Sequence, residues 1–197
     1  MGLFSKTVTL EVQLQALAEI GLVPNEGVTE SDLTMFEDRA QLERRPYRGL
    51  VEVMGAELER EPYTPISDRL WMCDHERVED HGAYREVLMR LEVMTENALG
   101  LGGVVDYVDL EQEIAWVEFG FQSARLRWEL SVQDDWLDPS IFGRYDRLLE
   151  EAGASRRLYS NRTDYGQVEL VGAFTLDEKR RFDRLTKIKM LPIGSPK

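Results

Sequence analysis

The chain has 197 residues, with 24 lysines and arginines against 37 aspartates and glutamates, which gives a formal net charge of −13. A single cysteine excludes a disulfide framework and a zinc site built from several thiolates. The negative charge excludes a general nucleic-acid binder, because the phosphate backbone repels a surface of the same sign. No stretch of about 18 apolar residues occurs, so we expect no membrane-spanning segment.

The start of the chain predicts a helix with no secretory signal before it. Residues 1–6 lack the apolar segment of such a signal, which favours a cytoplasmic protein. Leu10, Leu14 and Leu17 recur at helical spacing and predict a helix over residues 9–20.

The composition favours one domain over residues 1–197. Its first part, residues 1–45, is interpreted as a helical lead-in. The last part, residues 191–197, carries two prolines and a glycine, and we expect a flexible tail there.

The middle of the chain predicts a buried strand that leads into a polar run. Residues 50–54 favour a two-turn helix over a strand, and residues 56–59 predict a short edge strand. The apolar residues 70–73 predict a buried strand, and the polar run over residues 74–82 follows them directly. An apolar stripe at helical spacing then predicts a long helix over residues 82–98.

Two hairpins are predicted in the second half of the chain. Apolar and polar residues alternate over residues 115–121 and 125–132, which is typical of paired strands. A second hairpin is predicted from residues 156–160 and 167–174, with its turn at 161–166. Further helices are predicted over residues 139–152 and 176–187. The fold class is therefore α+β, with a mainly antiparallel sheet built from hairpins and helices packed on one face.

Acidic residues concentrate in three segments, residues 74–80, 106–113 and 134–138, each in a loop or at a predicted strand end. Loops at one end of a sheet often lie side by side, so these segments would form one negative face that attracts a basic partner. An exposed indole among the acids would anchor such a partner. The predicted partner contacts are Asp74, Glu76, Glu79, Asp80, Asp134, Asp135 and Trp136.

A metal site is an alternative interpretation of the polar run. Cys73, His75 and His81 lie among acidic residues, but their spacing matches neither a His-Glu-x-x-His motif nor an EF-hand loop. The second interpretation is a helix-entry loop in which Asp80 caps the helix. Because Cys73 follows apolar residues, we expect a buried thiol rather than a nucleophile.

The carboxylates around Trp136 have two interpretations as well. Asp134, Asp135 and Asp138 surround the indole, and Asp134 and Asp135 could hold Mg²⁺ in a nuclease-like enzyme. Asp138 precedes a proline, however, and this pair is typical of a helix start. No glycine-rich phosphate loop opens a helix. Because no metal-ligand or nucleophile motif occurs at a recognisable spacing either, we predict no cofactor, no metal and no catalytic residue.

Three segments resemble small acidic bacterial proteins of the immunity type, which accompany polymorphic or contact-delivered toxins. They are residues 71–84, 115–119 and 134–138, and the likeness covers residues 46–150. The resemblance implies a bacterial cytosolic protein that binds one cognate toxin tightly. That class is diverse in sequence, so the resemblance assigns no individual residue.

The leading hypothesis is a non-enzymatic acidic protein, an immunity or inhibitor protein that neutralises a cognate toxin by masking a basic or catalytic surface. Its partner would be a basic toxin domain, not nucleic acid or a membrane. The alternatives are a metal-dependent enzyme of the hydrolase or nuclease kind and an intracellular adaptor. The oligomeric state is left open.

Overall fold

The computed structural model describes residues 7–162 and 166–193. The expectations for residues 1–6, for the turn at 163–165 and for residues 194–197 lie outside the described residues. None of the described helices is long and apolar enough to cross a membrane. The helices are α1 (Leu10–Ala18), α2 (Glu30–Leu33), α3 (Arg39–Arg44), α4 (Arg48–Met54), α5 (Ala83–Met94), α6 (Ser140–Glu151) and α7 (Leu176–Thr186).

The strands form three antiparallel sheets, which confirms the α+β class. A small hairpin pairs β1 with β2. A four-stranded sheet has the order β3-β8-β7-β9, and a three-stranded sheet has the order β4-β5-β6. The strands are β1 (Glu57–Leu58), β2 (Thr64–Pro65), β3 (Leu70–Asp74), β4 (Gly102–Asp109), β5 (Ile114–Phe121), β6 (Ala124–Leu130), β7 (Arg157–Arg162), β8 (Val168–Phe174) and β9 (Leu191–Pro192).

The four-stranded sheet separates two apolar cores. On β8, Val171 and Ala173 face the core that contains α5 and α6. Leu170 and Phe174 face the core formed by α1 to α4 with α7. Because β8 carries apolar residues at consecutive positions, both of its faces must be covered.

Helices therefore pack on both faces of the four-stranded sheet, whereas the sequence predicted helices on one face. The predicted arrangement, with helices on one face, does hold for the three-stranded sheet. Ala115, Val117 and Phe119 on β5 are buried in the core with α5, and the residues between them point outward. The hairpin of β5 and β6 was predicted correctly, but β4 was not predicted, because glycines and acidic residues obscure its alternation.

The first and last described elements both belong to this packing. In the predicted lead-in, Leu10 of α1 and Leu42 of α3 are buried in the second core. At the other end, Leu191 and Pro192 form β9 and pair with β7. The predicted flexible tail is therefore wrong for these two residues, because the edge of β7 offers them backbone hydrogen-bond partners.

Candidate functional site

Two of the predicted acidic segments meet in the structure. The backbone N–H groups of Arg77 and Val78 donate to the carbonyl oxygen of Asp135, at 3.0 and 2.9 Å. The N–H of Leu137 donates to the carbonyl oxygen of His75 at 2.7 Å. These hydrogen bonds join the loop after β3 to the loop after β6. We call the seven predicted partner contacts in and beside these loops the acidic surface: Asp74, Glu76, Glu79, Asp80, Asp134, Asp135 and Trp136.

Most carboxylates of the acidic surface are open to solvent and lack a cation. Asp74 and Asp135 are half-buried, and the other four are exposed. Asp74 accepts the N–H of Glu76 at 3.0 Å. Among the residues that the structure describes, no ion pair involves Glu76, Glu79, Asp134 or Asp135.

Trp136 lies in a turn that the backbone holds in place. The residue is 38% exposed, and its N–H donates to the carbonyl oxygen of Gln133 at 3.0 Å. Asp134 adopts a φ of 55° within this turn, a conformation in which aspartate and asparagine are enriched. The turn therefore presents an indole next to two carboxylates.

A cavity of about 150 Å³ lies beside Trp136 and extends to the sheet. His75 and Glu169 line it, and both are buried. The His75 Nε2 atom lies 3.1 Å from the Glu169 Oε2 atom. Because Glu169 belongs to β8, this contact connects the loop after β3 to the four-stranded sheet.

Asp106, and not Asp80, caps α5. Its carboxylate accepts the backbone N–H groups of Gly82, Tyr84 and Arg85 at 2.8, 2.9 and 3.2 Å. Gly82 is the N-cap residue, with a φ of 103° that favours glycine. The prediction that Asp80 caps the helix is wrong, because Asp80 lies two residues before the cap and its carboxylate accepts the N–H of the next residue instead.

His81 connects the loop after β3 to the third acidic segment. Its Nδ1 atom accepts the backbone N–H of Val108 at 3.0 Å, and its ring stacks on Tyr107 with 4.8 Å between centroids. The exposed Glu111 and Glu113 follow in the turn between β4 and β5. Asp106 lies inside β4, so this segment is not wholly a loop as predicted.

Asp138 binds backbone N–H groups at the start of α6, but it is not the N-cap residue that the sequence suggested. Its carboxylate accepts the N–H groups of Ser140 and Ser131, each at 2.8 Å. The helix itself begins one residue later than predicted, at Ser140, with Pro139 in the cap position. Burial works to raise the pKa of the Asp138 carboxyl, but the two N–H donors outweigh it and hold that pKa below its usual value.

The groups suggested as metal ligands have other roles. Cys73 is fully buried, and burial raises the pKa of its thiol to about 12. In residues 7–162 and 166–193, no group of three or more His, Cys, Asp or Glu side chains is arranged to hold a metal ion. His75 and His81 instead contact Glu169 and the backbone of Val108.

A second cavity, of about 360 Å³, is lined by ion pairs between separate elements. Arg69 meets Glu178 of α7 at 2.7 Å, and Arg156 meets Glu96 at 2.9 Å. Arg69 also donates to the carbonyl oxygen of Ala173. The contacts of Arg69 with Glu178 and Ala173 join α7 to the four-stranded sheet.

The sequence did not predict an aromatic ladder on the outer face of the three-stranded sheet. The rings of Tyr107 and Trp116 stack with 5.9 Å between centroids, and the Arg127 guanidinium lies 4.0 Å from the Trp116 ring. The alternation of β5 does place Trp116 on the outward face. Tyr107 could not be placed, because β4 was not predicted.

Comparison with known proteins does not assign the chain to a family. No protein-family model matches the chain, and no curated protein or solved structure matches it either. The functional argument therefore rests on the geometry of the molecule.

Proposed function

We propose that this protein binds a basic surface of another protein through the acidic surface, and acts as a non-enzymatic inhibitor. One observation carries the proposal: backbone hydrogen bonds join two acidic loops around a partly exposed tryptophan. The resemblance of three segments to immunity proteins favours a bacterial toxin domain as the partner. Inhibition would then result from masking the partner's basic or catalytic surface.

Electrostatics supports a basic partner. Like charges that lie close together raise the free energy of the unbound protein, and Glu76, Glu79, Asp134 and Asp135 have no cation of their own within the described chain. A cationic surface would relieve this repulsion. It would also be drawn to the site from a distance, because complementary potentials accelerate association.

The rigidity of the two loops supports tight binding. Asp135 accepts two backbone N–H groups through its carbonyl oxygen, and the buried contact of His75 with Glu169 fixes the loop after β3 from behind. Loops that are ordered before binding lose less conformational entropy when the complex forms. Trp136 supplies the kind of side chain that contributes most at the centre of an interface.

The test combines affinity capture with association kinetics. Immobilised wild-type protein and the variant D134N/D135N are exposed at low ionic strength to an extract of the native host, and retained proteins are identified by mass spectrometry. Asparagine suits the positive φ of Asp134, so the backbone of the turn is kept. The double variant E26Q/E151Q is the matched control, because both glutamates are exposed and far from the two loops in sequence.

We expect one basic protein to be retained by the wild type and the control but depleted on D134N/D135N. With that protein purified, D134N/D135N should slow association about tenfold at low salt, and physiological salt should reduce the difference. The proposal fails if the wild type retains no basic protein. It fails equally if both double variants change the association rate by the same factor.

A further inference from the structure

The outer face of the three-stranded sheet is partly exposed, and the His81 ring from the loop after β3 stacks on its Tyr107 ring. Val105 and Ile114 on this face are 44% and 41% exposed. Beside them, the rings of Tyr107 and Trp116 stack on each other with an interplanar angle of 13°. We call the outward side chains of β4, β5 and β6 the ladder face: Val105, Tyr107, Asp109, Ile114, Trp116, Glu118, Arg125, Arg127 and Glu129.

The ladder face is nearly neutral in a strongly acidic protein. It carries two arginines and three acids, for a net charge of −1, whereas the whole chain carries −13. Arg125 Nε lies 2.6 Å from Glu118 Oε1, and Arg127 Nε lies 2.7 Å from Glu129 Oε1. Each pair uses one nitrogen of a guanidinium, which has five N–H donors in all. Charges of both signs therefore stand on one surface.

We propose that the ladder face binds the ladder face of a second copy of this chain. In a twofold arrangement the same patch meets itself, which allows the free guanidinium N–H donors of one copy to reach the glutamates of the other. Aromatic residues and arginine, the residue types enriched in interfaces, lie at its centre. A copy approaching at the acidic surface would meet unpaired carboxylates, which disfavours that contact and selects the ladder face.

The size of the face sets the strength of the dimer. Strands of about 8 residues at ~3.3 Å and a strand spacing of ~4.8 Å give a face of roughly 26 by 14 Å. This is smaller than the ~800 Å² per partner of a stable complex. The dimer is therefore weak and forms at high protein concentration.

Salt strengthens this dimer. Two copies with a net charge of −13 repel each other at long range. The Debye length falls from ~30 Å at low ionic strength to ~8 Å at physiological ionic strength, which screens that repulsion more than the short contacts within the face. Binding of a basic protein at the acidic surface has the opposite salt dependence, so the two contacts can be distinguished.

Sedimentation equilibrium of the purified chain, from micromolar to millimolar concentration at low and physiological salt, tests the proposal. The variant is R127E, which makes the face more negative and removes the cation from the Trp116 ring. The matched control is R147E, because Arg147 is exposed on α6 and the two variants have the same net charge. Near-UV circular dichroism verifies that both variants are folded.

We expect the average mass of the wild type and R147E to rise toward that of a dimer with concentration, and more so at physiological salt. R127E should weaken the association about tenfold or more, because like charges then oppose each other across the contact. A wild type that stays monomeric throughout would overturn the proposal. So would an association that salt weakens, or an equal loss in R147E and R127E. None of these results would decide whether the acidic surface binds a basic protein.

Discussion

The substitution Asp106→Ala tests whether one carboxylate fixes the loop that carries half of the acidic surface. Asp106 accepts three N–H groups at the start of α5, from Gly82, Tyr84 and Arg85. Loss of a helix cap costs about 0.5–2 kcal/mol, and hydrogen bonds to a charged group contribute about 1.5–3 kcal/mol. Because Asp106 is half-buried, water replaces the lost acceptor only in part. We expect the free energy of unfolding to fall by about 2–3 kcal/mol.

Urea unfolding followed by far-UV circular dichroism measures this loss, and the thermal midpoint should fall by roughly 4–12 °C for a chain of this size. Asp106→Asn keeps one acceptor oxygen and should show about half of the loss. Asp109→Ala is the control on the same strand, because Asp109 accepts a single backbone N–H, that of Gln112. A loss for Asp106→Ala that is no larger than that of Asp109→Ala would refute the capping role.

Three further predictions concern buried groups. The Cys73 thiol should not react with Ellman's reagent at pH 8 in the folded protein and should react at once in urea, because it is buried and its pKa is about 12. Tyr145→Phe should lower the free energy of unfolding by about 1–3 kcal/mol in a urea titration, because the tyrosine hydroxyl donates to the buried Glu92 carboxylate at 2.6 Å. The pKa of Asp138 is lowered by folding, so the stabilisation it provides is present above its unfolded pKa of ~3.9 and is lost as the pH falls through the folded value. Asp138→Asn should therefore flatten the acid limb of stability against pH, and an unchanged limb would contradict the assignment.

Local sequence patterns predicted the strands and helices in which apolar residues alternate or recur at regular spacing without interruption. The hairpin of β5 and β6 was found because one residue in two is apolar over both strands, and β5 is buried on one face only. The start of the helix predicted over residues 176–187 agrees with α7, because the reciprocal hydrogen bonds between Thr175 and Glu178 that cap it are local in sequence.

Long-range pairing explains what the sequence could not predict. β4 contains the half-buried Asp106 because the Asp106 carboxylate caps the start of α5. It accepts the N–H of Gly82, which lies 24 residues earlier in the chain. β9 consists of two residues and exists only because β7 pairs with it. In the candidate site, the sequence placed the acidic residues in loops, but the hydrogen bonds from Arg77 and Val78 to Asp135 depend on the tertiary fold.

The two proposed contacts can be distinguished by ionic strength, because salt weakens the attraction of a basic partner and weakens the repulsion between two acidic copies. At low salt the Debye length is longer. This favours binding of a basic partner at the acidic surface and disfavours binding of a second copy at the ladder face. His81 lies between the two surfaces, since its backbone N–H contacts Asp80 and its ring stacks on Tyr107. Together with the hydrogen bond from the Val108 N–H to the His81 Nδ1 atom, the ring stack holds an acidic loop beside a nearly neutral sheet face. The net charge of −13 is therefore less informative than its distribution, which underlies both of the contacts that we propose.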